Sequence, residues 1–140
     1  MFLKNKKGRS FVMIMVVIAL AALFLRITAE KILSVTTSQN EAATQATLKS
    51  IATALDSYAR DNQGVYPKSI SSLVQSKPAY LDRDYIKESP VKGYAYNCAR
   101  LDESGYICYA FPSRCKLTGN LAFTVTTGNI LISEDCSLKK

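Results

Sequence analysis

The chain contains no histidine. That removes the side chain most used as general base or metal ligand near neutral pH. It also lacks a G-x-S-x-G nucleophile turn and a Walker-type phosphate loop. No two cysteines stand at C-x-x-C spacing, so the usual frame of a structural zinc site is missing. No catalytic residue and no metal ligand is assigned, and the chain reads as something other than an enzyme. A strong surplus of charge is missing too. The net charge is +7, from 18 Lys and Arg against 11 Asp and Glu. Three of those cations, Lys4, Lys6 and Lys7, fall within residues 1–8, leaving 15 basic against 11 acidic residues in the rest. A nucleic-acid-binding domain concentrates more positive charge on one face, so no nucleic acid is expected as partner.

What the chain does have is a long apolar run. Phe11 to Leu25 is unbroken by charge, about 15 residues or about 22 Å of helix. Extending it from Ser10 to Ala29 gives about 20 residues, enough for a hydrocarbon core of about 30 Å. Arg26 then sits near the outer end, where it can snorkel to the headgroups. Lys4, Lys6, Lys7 and Arg9 precede the run with no acid among them. This positive-inside pattern leaves the remainder outside the cytoplasm.

Helix-forming sequence continues beyond the run. Val35-Thr36-Thr37 is β-branched and predicts a soft spot. From Asn40 the pattern strengthens: Leu48, Ile51, Leu55 and Tyr58, with Ala52 and Ala59 beside them, form one apolar stripe. Lys49, Thr53, Asp56 and Arg60 fall mostly on the other side. Asn62-Gln63-Gly64 ends the helix after Asp61, with Gly64 as its C-terminal cap. Ser69 to Val74 predicts a short helix capped by Ser69. Gln75 to Lys92 reads as a connection anchored by Tyr85 and Ile86. Two hairpins follow, Tyr94–Cys98 with Tyr106–Phe111, and Leu121–Thr126 with Ile130–Ser133. The expected architecture is α+β: a long N-terminal helix packed on a small four-stranded antiparallel sheet.

Cysteines 98, 108, 115 and 136 all lie in the last third. In an exported domain such a cluster predicts two disulfides, with three pairings open. If Leu101 to Gly105 is a hairpin turn, Cys98 and Cys108 can face each other, which leaves Cys115 with Cys136. Asp82 and Asp84 lie at i, i+2 in a loop, a spacing that could bind calcium, and read in preference as solvated charges.

Lys6-Lys7-Gly8, followed by Arg9-Ser10-Phe11-Val12-Met13 and the apolar helix, resembles the start of type IV pilins and of the pseudopilins of type II secretion. Leu48 to Tyr58, then Asp61-Asn62 and Gly64-Val65-Tyr66-Pro67, looks like the helix end and exit of the major pseudopilin. Pro90 and Gly93-Tyr94 fall where that family enters its first strand. The resemblance covers residues 4 to about 96.

It implies three segments: a leader over 1–8, a transmembrane and filament-core helix over 9–29, and a pilin-like globular domain over 30–140. It implies a prepilin peptidase cutting between Gly8 and Arg9, with methylation at Arg9. The chain would sit in the bacterial inner membrane as a single-pass protein with a periplasmic C-terminus. An assembly platform would then move it into a filament among other pilin or pseudopilin subunits. Two positions depart from the family. Arg9 stands where an apolar residue is usual, and Met13 where a glutamate usually neutralises a neighbour's amino terminus. An unpaired ammonium in a low-dielectric bundle is costly. The expectation is therefore a minor or tip-associated subunit. The family's calcium loop would fall near Ser133-Glu134-Asp135, whose charges read instead as solvated, so no cofactor is expected. The other readings are a periplasmic binding domain behind a signal peptide cut at Ala19-Leu20-Ala21, and a bitopic protein that never polymerises.

Overall fold

A computed structural model describes residues 10–138 and the helical backbone of residues 6–9. Helix α1 (Lys6–Asp61) is 56 residues long. The chain divides into two compact units, Met1–Val35 and Thr36–Lys140. The first consists, among the described residues, of α1 alone.

The helical backbone passes unbroken through Val35-Thr36-Thr37. The predicted soft spot is not a break in the helix, although the division between units falls there. Burial outweighs propensity: Thr37 is buried, and so is Thr44, whose hydroxyl donates to the Asn40 carbonyl at 2.7 Å. α1 ends at Asp61, and its cap differs from the expectation. Gly64 N–H reaches back to the Ala59 carbonyl at 2.7 Å, which makes Gln63 the left-handed residue (φ 59°) and Gly64 (φ 84°) the one after it.

In the second unit α2 (Ile70–Gln75) follows a short exit. Ser69 holds the N-cap position, but its hydroxyl faces that of Ser72 at 3.0 Å and makes no bond to the helix backbone. Four strands, β1 (Tyr94–Asp102), β2 (Gly105–Pro112), β3 (Leu121–Thr126) and β4 (Ile130–Asp135), form an antiparallel meander in the order β1-β2-β3-β4. β1 is longer than its apolar alternation predicts, because an irregularity between Cys98 and Arg100 absorbs Ala99 and lets pairing continue to Asp102. The turn is tightened by Asp102, whose Oδ1 accepts the Ser104 N–H at 2.9 Å.

The core lies between α1 and one face of the sheet. Leu48, Ile51, Ala52 and Leu55 meet Tyr94, Tyr96, Tyr106, Phe123 and Val125, all buried. Each large apolar side chain there contributes about 1.5–3 kcal/mol. Tyr94 stands against Gly119 so closely that any Cβ would collide with its phenol ring. Its hydroxyl donates to the Leu121 carbonyl at 2.7 Å. The α+β architecture expected of a pilin-like fold is the one present.

Candidate functional site

The outstanding surface belongs to the first unit. From Ser10 to Val35 α1 buries none of its apolar side chains; Phe11 is 64% exposed, Met13 73% and Leu25 70%. A helix satisfies its own backbone groups, so such a surface can enter lipid without orphaned N–H or C=O. Two of its hydroxyls bond back to the helix backbone. Thr28 donates to the carbonyls of Phe24 and Leu25 at 2.9 and 3.0 Å, and Ser34 to that of Lys31 at 2.9 Å. By length and composition this helix is long and apolar enough to cross a membrane.

Met13 lines a shallow apolar groove of about 320 Å³ with Ile14, Val17 and Ile18. Of the residues lining it, Ser10 alone is polar. Gly8 and Arg9, where cleavage and methylation are expected, lie outside the fully described residues.

The cysteines pair as Cys98–Cys108 and Cys115–Cys136. The first pair joins directly opposed residues of β1 and β2. The second closes the β2–β3 connection onto the residue after β4. That connection also grips α1: Asn40 Nδ2 donates to the Thr118 carbonyl at 3.0 Å, and Glu41 accepts the Asn120 N–H at 2.7 Å.

Cys115, Asp135 and Cys136 lie close together, but both sulfurs are spent in the disulfide and offer no thiolate to a metal. Asp135 accepts from Ser137 and from the Lys116 ammonium. Those bonds, led by the Ser137 hydroxyl, hold its carboxyl well below the usual range. Asp84 is likewise engaged, by the Ser71 hydroxyl at 2.7 Å and by the N–H groups of Ile86 and Lys87 at 3.1 Å each. Asp82 accepts from the Tyr85 hydroxyl at 3.0 Å. Desolvation pushes its carboxyl up, but the bonds from Tyr85 and Arg83 outweigh it and the net shift is downward. All three carboxylates are thus engaged by donors of the chain itself.

Asp56 corrects the sequence reading. It is half-buried, and its Oδ1 accepts the hydroxyls of both Tyr66 and Tyr106 at 3.3 Å. Tyr106 in turn accepts the Asn129 N–H at 3.3 Å, so one carboxylate ties α1 to the helix exit and the β3–β4 turn. Burial first, then the Asp56 charge, pushes the Tyr106 hydroxyl far above its ordinary value. Burial does the same to Tyr94. Thr37 and Thr44 were legible only as a heptad continuation of Ile51 and Tyr58. Nothing in the local pattern marked Asn40 or Glu41.

Compared with protein families, with curated proteins and with solved structures, the chain matches none. Fold and site together define an α+β protein whose first helix carries a fully exposed apolar segment of membrane-spanning length.

Proposed function

We propose that this chain is a structural subunit of a type IV-type filament, a minor or tip-associated pilin or pseudopilin. The observation that supports it is the division of labour within α1. Its early turns expose a continuous apolar surface, while one face of its later turns, Leu48, Ile51, Ala52 and Leu55, is buried in the core of a disulfide-bonded unit. An anchor meant only to tether a domain needs no such shared helix. An apolar segment that leaves lipid must find equivalent burial, and a bundle of like helices provides it.

In this reading a prepilin peptidase removes residues 1–8 and methylates Arg9. The subunit waits in the inner membrane with its C-terminal unit in the periplasm, and an assembly platform then transfers it to the filament. Met13 in place of an acid weakens repeated insertion, because it cannot neutralise a neighbouring amino terminus. That favours a minor place beside subunits that carry the acid. No chemistry is assigned to the chain itself.

The test is to coexpress the chain with a complete assembly system and shear the filaments from the cells. The chain is expected in the sheared fraction at a small ratio to the main subunit. Its retention in membranes alone, with filaments present and lacking it, would establish a bitopic protein instead.

A further inference from the structure

The end of the second unit at which α1 enters it is organised by the Cys115–Cys136 disulfide. The β2–β3 loop folds back on itself there. The N–H groups of Leu117 and Thr118 donate to the Arg114 carbonyl at 3.0 and 2.9 Å, and that of Lys116 to the Gly119 carbonyl at 2.8 Å. Asn40 and Glu41 of α1 fasten the loop at Thr118 and Asn120. The loop is pinned, and yet it leaves Leu117 51% exposed. Leu138 is 80% exposed, in the short 3-10 turn Cys136–Leu138. Each leucine stands two residues beyond one half of the same disulfide. A single exposed leucine needs no explanation. Two held to one crosslink are a feature of the scaffold.

The charge at this end is positive. Lys92, whose neighbour Gly93 packs against Thr118, and Arg114 are exposed and make no ion pair among the described residues. Lys139 and Lys140 follow Leu138 in the sequence. Asp135 is answered by the Lys116 ammonium at 3.0 Å, and Glu41 by the Asn120 N–H at 2.7 Å. Glu134 makes no ion pair among the described residues, and the cations outnumber it. Exposed leucines beside unpaired cations suit a surface that lies on a bilayer. The apolar tips enter the headgroup boundary and the cations meet lipid phosphates. Asn40 follows Ala29 by about eleven residues, which span at most about 40 Å even if extended. The loop bonded to Asn40 is therefore tethered within reach of a bilayer that holds the apolar segment, and a tethered contact needs little affinity of its own.

We propose that this end of the second unit docks on an anionic phospholipid bilayer, with Leu117 and Leu138 entering its headgroup layer and Lys92 and Arg114 pairing with lipid phosphates. A chain that leaves the bilayer must first undock, so the charge of the lipid sets how readily the unit departs. The inference needs α1 in a bilayer and does not depend on the filament reading.

The full chain, labelled with nitrogen-15, is placed in nanodiscs of phosphatidylcholine alone or mixed with phosphatidylglycerol, each doped with a gadolinium-chelating lipid. The amide signals of Leu117 and Leu138 are expected to broaden at least twofold more in the anionic discs. Those of Gly128 and Asn129, at the far end of β3, are expected to broaden equally in both. The difference is expected to vanish at about 1 M salt, where the screening length is about 3 Å. It is expected to vanish also in the double variant Lys92→Glu with Arg114→Glu, and to halve in Leu117→Ser. Lys49→Glu with Lys77→Glu, the same change of charge at exposed positions elsewhere, is expected to leave it intact. The inference is overturned if Leu117 and Leu138 stay clear of lipid in both discs, which would leave this end to solvent or to a protein partner. It is overturned equally if the two double variants act alike, or if Leu117→Ser changes nothing. The discs hold no assembly machinery, so failure here leaves the filament reading standing, and loss of the filament reading leaves this result interpretable.

Discussion

Two leucines of α1 separate the roles of its two parts. Leu55 is fully buried in the core, whereas Leu20 is 51% exposed. Leu55→Ala removes packed carbons and leaves a cavity, which costs about 3 kcal/mol, within the range of about 2–5 for such sites. For a unit of this size that lowers Tm by about 12–24 °C. Leu20→Ala removes the same atoms from a surface that touches nothing in the folded chain, so its effect on unfolding is below about 0.5 kcal/mol. It acts on membrane partition instead: three carbons at about 0.8 kcal/mol each weaken insertion by about 2.4 kcal/mol. Unfolding of the full chain in mild detergent, followed by near-ultraviolet dichroism of its tyrosines against urea, reads the first effect. The fraction extracted from membranes at alkaline pH reads the second. If Leu20→Ala lowers the urea midpoint as much as Leu55→Ala does, the apolar segment is part of the folding core and the division of labour is wrong.

Other outcomes follow from the same packing. Gly119→Ala sets a methyl group against the Tyr94 ring and lowers stability by about 1–3 kcal/mol in the same urea titration. Replacing Cys115 and Cys136 together by alanine opens a loop with a sequence separation of 21 residues. That costs about 3 kcal/mol in the chain-entropy model, and hydrogen exchange at Asn120, whose N–H is held by Glu41, accelerates with it. Alkaline pH destabilises the core. The hydroxyls of Tyr94 and Tyr106 have folded pKa values above the unfolded value of about 10, so their contribution is complete below pH 10 and lost as pH rises beyond it. Urea midpoints measured from pH 8 upward therefore fall above pH 10, and Tyr106→Phe makes that fall shallower.

The parts of the fold that were legible in the sequence are those in which a local rule and the tertiary context agree. The stripe Leu48-Ile51-Leu55 predicts a buried face, and it is the core. The alternation in Tyr106 to Phe111 and in Leu121 to Thr126 predicts strands, and both form. Where context overrides a local rule, the reading missed. The threonines at 37 and 44 weaken a free helix but are buried here, and Gln63 takes the left-handed position that composition assigns to Gly64. Asp56 looks like a solvent-facing residue until Tyr66 and Tyr106 arrive from ten and fifty residues away. Asn40 and Glu41 bond to backbone nearly eighty residues distant, which no period or motif encodes. The apolar surface beginning at Phe11 needed no context, because its run is unbroken in the sequence.

The most direct test of the central claim is the intact mass and amino-terminal sequence of the mature chain after coexpression with a prepilin peptidase. The account predicts a chain that begins at Arg9, one methyl group heavier than its sequence, with the apolar turns from Phe11 onward retained. A chain that begins at Ala22, freed from its apolar segment and soluble, would contradict it.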